Sequence, residues 1–396
     1  MTVNPVVRTG LERLLDDAHH LIRGRRVGLL CNPVSVDRAL RHAADLLHTD
    51  RGCDLVRLLG PEHGVRGVAQ DMIAVDKSRD PHTGVEVVSL YGSAPDTLRP
   101  KRSHLQGLDV LVCDLQDIGS RYYTYVWTVL YCLETASEIG LPVVVCDRPN
   151  PLGGLAVEGG DVRPGFESFV GLYSVPNRHG MTLGELARFA HKERNLDCPL
   201  EIVELRGWKR RFTFEQCGLP WVMPSPNMPT LDTAFVYPGL CLIEGTELSE
   251  GRGTTRPFEL VGAPYIDPYR LASTLDELAL PGVRFRPAWF RPQFQKHAGR
   301  DCGGVQVHVT HRETFRPYLT GVAIVATVRR LYPDKLEWRT RAYEFVDDVP
   351  AFDLLAGNAE LRQRIEAGAP LDALQSTWQA EEDAFRAART AHLLYD

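Results

Sequence analysis

The chain has 396 residues, 44% of them hydrophobic, with a formal charge of -6 and a pI near 6.1. That length suggests about two domains, each able to bury a full core, and the acidic balance argues against a general nucleic-acid binder, which would carry a basic surplus. No apolar run reaches the roughly 20 residues needed to span a bilayer. The start, from Met1 to Gly10, lacks an apolar stretch of signal-peptide length. Nine widely spaced cysteines without a C-x-x-C pair favour a reducing compartment. The cytoplasm is therefore the expected location, with export of a chain trimmed of its leader as the alternative.

In chain order, Arg26 to Cys31 reads as a strand and Asp37 to Leu47 as an amphipathic helix. Leu55–Leu59, Val85–Leu90, Val110–Cys113 and Pro142–Cys146 read as further strands. Several are apolar without alternation, as parallel strands covered on both faces should be. Arg121 to Ile139 predicts a helix, and Thr182-Leu-Gly-Glu185 has the capping-box pattern of another that runs to about Glu193. Pro199 to Leu205 reads as one more strand. Strands alternating with helices predict an α/β fold built on a Rossmann-like, doubly wound parallel sheet, over residues 1–220. From about Trp221 prolines and glycine-rich loops replace the alternation, and Gly304 to Thr310 reads as a strand. Residues 221–396 are read as a second, smaller β-rich α+β domain, with charged helices after Pro333 packed on its outside.

In such a sheet, ligands bind beyond the carboxyl ends of the strands. Polar groups cluster there at Asn32, Gly60-Pro-Glu-His-Gly64, Asp114-Leu-Gln-Asp117 and Asp147-Arg-Pro-Asn150. Singly, each has a plain structural reading as a turn or helix cap. Glu62 stands out because it lies between proline and histidine directly after an apolar strand. A carboxyl group in such a partly buried position can hold its proton and act as a general acid; the alternative is a surface-turn glutamate. His63 either orients Glu62, binds substrate, or is a satisfied core histidine. Glu134 and Glu185 read as structural. In a helix rising 1.5 Å per residue, the end bearing Arg121, Tyr123 and Thr124 faces the strand tips, and Glu134 lies about 20 Å further along the axis.

Glu244 to Glu259 is a second polar segment, with four carboxylates, two arginines and three glycines. Charges bunched in a glycine-rich loop face a polar partner. Familiar motifs are missing: no G-x-G-x-x-G follows the first strand, Gly245 and Gly251 are spaced one residue too far for a P-loop, and neither G-x-S-x-G nor H-E-x-x-H occurs. No ligand spacing supports a metal, and none is expected; no cofactor is expected either.

At these residues the chain resembles the NamZ-type exo-β-N-acetylmuramidases, glycoside hydrolase family 171, formerly a domain of unknown function. The resemblance covers most of the chain. It is carried by Gly60-Pro-Glu-His-Gly-Val-Arg-Gly67 with Gln70, by Asp114 to Tyr125, and by Asp147-Arg-Pro-Asn-Pro-Leu-Gly-Gly154 with Glu158-Gly159. It continues through His179-Gly-Met-Thr182, Met223 to Thr230 and Glu244 to Phe258. Two positions depart: Glu247 stands where the family pattern has asparagine, and Asp71-Met72 where Ala-Gly is usual.

The resemblance implies a hydrolase that releases N-acetylmuramic acid from the non-reducing end of peptidoglycan fragments, in a pocket between the two domains. Its partner would be an amino-sugar or muropeptide. Glu62 would be the acid and Glu158 the second carboxylate, with Asp117 as the alternative, unless the substrate's acetamido group attacks. The sugar's lactyl carboxylate calls for an arginine fork, with Arg66, Arg121, Arg148 and Arg252 as candidates. Gln70, Tyr123, Thr124, Asn150, His179, Asn227, Glu250 and Thr254 complete the expected substrate contacts. A metal- or phosphate-dependent transferase and a non-catalytic muropeptide-binding protein are the competing classes.

Overall fold

The computed structural model describes residues 6–66, 78–92 and 94–396. Seven strands form the main sheet: β1 (Arg26–Cys31), β2 (Asp54–Gly60), β3 (Ser78–Arg79), β4 (Glu86–Ser89), β5 (Val110–Asp114), β6 (Val143–Cys146) and β7 (Leu200–Val203). Their order is β3-β4-β2-β1-β5-β6-β7. Six are parallel, and only β3 runs antiparallel, against β4. The chain winds outward from β1 through β2 to β4, then crosses back to place β5 beside β1. That reversal opens a crevice at the carboxyl ends of β1 and β5, the ligand position of doubly wound sheets.

The continuous apolar runs follow from this layering. Leu29, Val110, Val112 and Val144 enter one core with the helices Gly10–Leu14 and Ala43–Thr49. Their neighbours Leu30, Leu111, Cys113, Val143 and Val145 enter a second core with the helices Tyr125–Ser137 and Leu183–Glu193. Alternate residues point to opposite faces, and both faces are dry. The Thr182–Glu185 capping box forms as expected. The first predicted helix is shorter than expected: it starts at Ala43, where His42 caps it, because Asp37 is spent on a turn that binds Arg41 and the Ala39 backbone.

A second sheet joins β8 (Leu260–Ala263), β9 (Val283–Phe290) and β10 (Cys302–Val309), antiparallel with β10 in the middle. Helices Leu231–Leu240 and Pro317–Leu331 cross beside it, and a Cβ added at Gly239 or Gly321 would run into the opposing backbone. The core on this side is continuous with that around helix Tyr125–Ser137. The terminal helix Leu371–Arg389 packs against the first half of the chain. Buried Glu382 accepts from the Gly159 amide at 3.0 Å, and Arg389 donates to the carbonyls of His179 and Gly180 at 2.8 and 2.7 Å. Among the described residues, no helix is long and apolar enough to cross a membrane.

Candidate active site

β2 ends at Gly60 and the chain turns at once, with the Gly64 amide bonded to the Pro61 carbonyl at 2.9 Å. His63 and Gly64 both take positive φ, 68° and 78°. A left-handed histidine costs on the order of 1–2 kcal/mol, and such strain collects where a side chain must be aimed. Here the turn directs Glu62 inward, leaving it 8% exposed. Thr124, at the start of helix Tyr125–Ser137, donates its hydroxyl to Glu62 Oε2 at 2.9 Å and is the one hydrogen-bond partner of that carboxyl among the described residues.

Glu62 opens into a narrow cleft of about 40 Å³. From the main sheet the cleft is lined by Glu62, His63 and the run from Tyr122 to Tyr125; from the second half it is lined by Ser225, Asn227, Met228, Tyr237, Arg252 and Phe258. Rings form its wall: Tyr123 meets Tyr125 edge-on at 5.0 Å, and Tyr237 meets Phe258 at 4.7 Å. Burial pushes the phenols of Tyr123 and Tyr237 well up, so both remain hydrogen-bond donors. The amide nitrogen of Asn227 is buried in this wall without a hydrogen-bond partner among the described residues.

The Glu244–Phe258 loop supplies the opposite side. Gly251 and Gly253 take φ of 82° and 79°, and a side chain on either would press into backbone carbonyls of Leu260 or Phe294. The Arg252 guanidinium lies over the Phe258 ring at 5.1 Å and binds Glu244 at 2.7 Å. Burial raises the Glu244 carboxyl, but Arg252 and the Tyr343 hydroxyl, at 2.8 Å, outweigh it and hold the group below its ordinary value. Glu250 is buried beside Arg252, 3.5 Å away, and pairs with Lys296 at 2.9 Å.

The remaining candidates are placed differently. Arg66 is clamped between Asp45 and Asp80, at 2.7 and 2.9 Å. Arg121 is fully buried and donates to the carbonyls of Gly160, Val175 and Leu355. Arg148 pairs with buried Asp114 at 2.6 Å. Asn150 ties the Met181 carbonyl to the Leu152 amide, and Thr254 binds the Gly251 carbonyl within its own turn. Glu158 is buried against Arg178 at 2.8 Å, and burial raises its carboxyl more than that arginine lowers it. None of these groups lines the cleft.

Asp117 and His179 sit behind the strand tips. His179 Nδ1 accepts from the Met181 amide, which leaves the ring hydrogen on Nε2, 3.4 Å from Asp117 Oδ2. Asp117 Oδ1 is buried without a hydrogen-bond partner among the described residues. Gln70 and Asp71 lie outside the described residues. Ser225, Met228, Tyr237, Phe258 and Lys296 had no individual signal in the sequence, although Ser225 and Met228 fall in the proline-rich Met223–Thr230 motif. Among the described residues, no group of three or more His, Cys, Asp or Glu side chains is arranged to hold a metal.

Residues 27–232 match the N-terminal profile and residues 235–395 the C-terminal profile of "Exo-beta-N-acetylmuramidase NamZ". The chain belongs to the NamZ family. A NamZ relative from Bacillus subtilis, a peptidoglycan beta-N-acetylmuramidase, is 44% identical over 391 residues, 99% of this chain and 92% of the relative. Two crystal structures of DUF1343 family proteins from Bacteroides fragilis share the NamZ architecture. One is 36% identical with a TM-score of 0.89 and full coverage of both chains. The other is 26% identical with a TM-score of 0.78 and 99% coverage of each.

Proposed function

We propose that this chain is an exo-β-N-acetylmuramidase that releases N-acetylmuramic acid from the non-reducing end of peptidoglycan fragments, in the cleft between a 1–220 catalytic domain and a 221–396 domain that closes it. The observation that carries the reading is Glu62: among the described residues lining the cleft it is the one carboxyl, and Thr124 is its one hydrogen-bond partner among them. Glu62 protonates the glycosidic oxygen as the bond to C1 breaks, so the leaving sugar departs as an alcohol. Water then adds at C1 and returns a proton. As the second carboxylate, Asp117 is favoured over Glu158, because Glu158 is engaged by Arg178 while one oxygen of Asp117 has no hydrogen-bond partner among the described residues.

Arg252 is the arginine of this reading that faces the lactyl carboxylate, because it lines the cleft and Arg66, Arg121 and Arg148 do not. Tyr123, Thr124, His63 and Asn227 take the hydroxyl and acetamido contacts. Nine free thiols, eight of them buried, suit a reducing compartment, so the substrates would be wall fragments carried into the cytoplasm. The test is hydrolysis of a chromogenic β-N-acetylmuramide and a muramyl disaccharide by wild type and Glu62→Gln, with product anomers followed by NMR. A wild-type protein inert on both substrates would refute the reading.

A further inference from the structure

The cleft wall holds neutral hydrogen-bond donors that the described residues leave unused. The Met228 amide bonds to the Ser225 carbonyl at 3.1 Å, and this turn carries Ser225 and Asn227 into the wall together. Asn227 is 7% exposed, and its amide nitrogen has no hydrogen-bond partner among the described residues. From the main sheet comes Tyr123, equally buried, with the Ser225 side chain beside its hydroxyl but no hydrogen bond of good geometry among the described residues. Two hydroxyls that face each other use at most one of their two hydrogens, so the Tyr123–Ser225 pair has one left to give. Burying a donor without an acceptor is unfavourable, and these donors stand where a ligand would lie.

Their surroundings define the acceptor. Tyr237 meets Tyr123 edge-on at 5.9 Å and Phe258 at 4.7 Å, and buried Met228 completes this side of the cleft. Neutral donors set among rings and a thioether suit an uncharged acceptor joined to a small apolar group. A sugar hydroxyl has no methyl to fill such a wall. The acetamido group at C2 has both parts, a carbonyl oxygen for the donors and a methyl for the rings. C2 is bonded to C1, where the glycosidic bond breaks, so this group must lie beside the acid. Tyr123 meets that condition, because the next residue, Thr124, holds Glu62 at 2.9 Å.

We propose that Asn227 and the Tyr123–Ser225 pair are specificity determinants that bind the carbonyl oxygen of the 2-acetamido group, and that a sugar with a free amine at C2 is rejected. This rests on the reading of the cleft as a muramidase site. An ammonium offers hydrogens and no acceptor, so the Asn227 nitrogen stays unpaired, and the methyl contact with the rings is lost. Its charge beside Glu62 would also favour the carboxylate over the acid that must give up a proton.

The experiment measures, by calorimetry, the Kd of N-acetylmuramic acid and of muramic acid for wild type, Asn227→Asp and Tyr123→Phe. Both sugars keep the lactyl carboxylate, so the ratio of the two constants reads the group at C2 alone. Wild type should prefer the acetylated sugar by at least about 10-fold, because a site built to pair a ligand group discriminates against the analogue lacking it. Asn227→Asp replaces a donor with an anion that attracts ammonium, and should lower that preference by about 10-fold. Tyr123→Phe removes one hydroxyl and should lower it by about 3-fold. A side chain that only supports the wall would weaken both sugars alike. A wild-type ratio near 1, or a ratio that neither variant lowers, overturns the proposal. If thermal unfolding shows Asn227→Asp to be unfolded, Tyr123→Phe decides. A wild-type protein that binds neither sugar refutes the functional reading itself.

Discussion

Thr124 holds Glu62 from the start of the central helix: its hydroxyl reaches Oε2 at 2.9 Å, and both residues line the cleft. Two distant parts of the sequence, the turn after β2 and the start of the helix after β5, therefore meet at the switch point of the sheet.

This contact predicts a graded response. Glu62→Gln keeps the shape and removes the proton donor, so kcat should fall by about 100- to 10,000-fold. Thr124→Val leaves the acid but frees its orientation, and the loss should be roughly 10-fold, the worth of one hydrogen bond to a charged group. Thermal unfolding should show both variants folded. Equal losses in the two would mean that Glu62 does not transfer the proton.

Arg252 predicts selectivity. Arg252→Met should raise KM for the muramide by about 10- to 100-fold, the loss of a charge-assisted hydrogen bond. With an analogue whose lactyl carboxylate is converted to a carboxamide, wild type and variant should bind alike. Inhibition constants for the two sugars measure this directly, and a variant that loses both equally would remove Arg252 from carboxylate recognition.

The sequence shows the main sheet plainly because both of its faces are buried, which gives β1, β5 and β6 their unbroken apolar runs. The helices Leu231–Leu240 and Pro317–Leu331 left no such trace. They are buried almost all round, so the amphipathic period is absent, and the first contains Pro238. For the site, the strand tips indicate where chemistry belongs, but a sequence does not say which way a guanidinium points. Arg121 and Arg148 resemble ligand forks in the motifs and are consumed by carbonyls and Asp114. Lys296 is silent for another reason: three of its four acceptors are backbone oxygens, which no side-chain pattern records.

Glu158 and Arg178 should matter to stability. The pair is buried and joins the first half to the Tyr318 amide, 3.3 Å from Glu158 Oε2. Breaking a buried pair from one side leaves an uncompensated charge and costs about 3–5 kcal/mol. Glu158→Gln should therefore lower the melting temperature, and its kcat below that temperature should stay far above that of Glu62→Gln. A kcat as low as that of Glu62→Gln in a well-folded Glu158→Gln protein would return Glu158 to the chemistry.

Asp147 predicts how stability varies with pH. Complete burial, reinforced by nearby Glu185, pushes its carboxyl up to about 7, although Tyr395, Thr182 and the Gly184 amide all donate to it. In the unfolded chain the same group titrates near 4. Between those values the folded protein binds the extra proton, so the stability contributed by Asp147 is complete below about pH 4 and is lost as pH rises towards 7. At about 1.4 kcal/mol per pH unit, the loss approaches 4 kcal/mol across the window. Asp147→Asn removes the titration, so the wild-type-minus-variant difference in unfolding free energy should fall as pH rises over that interval and stay flat outside it. Urea unfolding at pH 4, 5.5 and 7 measures it. A difference that stays constant with pH would mean that Asp147 is ionised throughout, with its donors outweighing its burial.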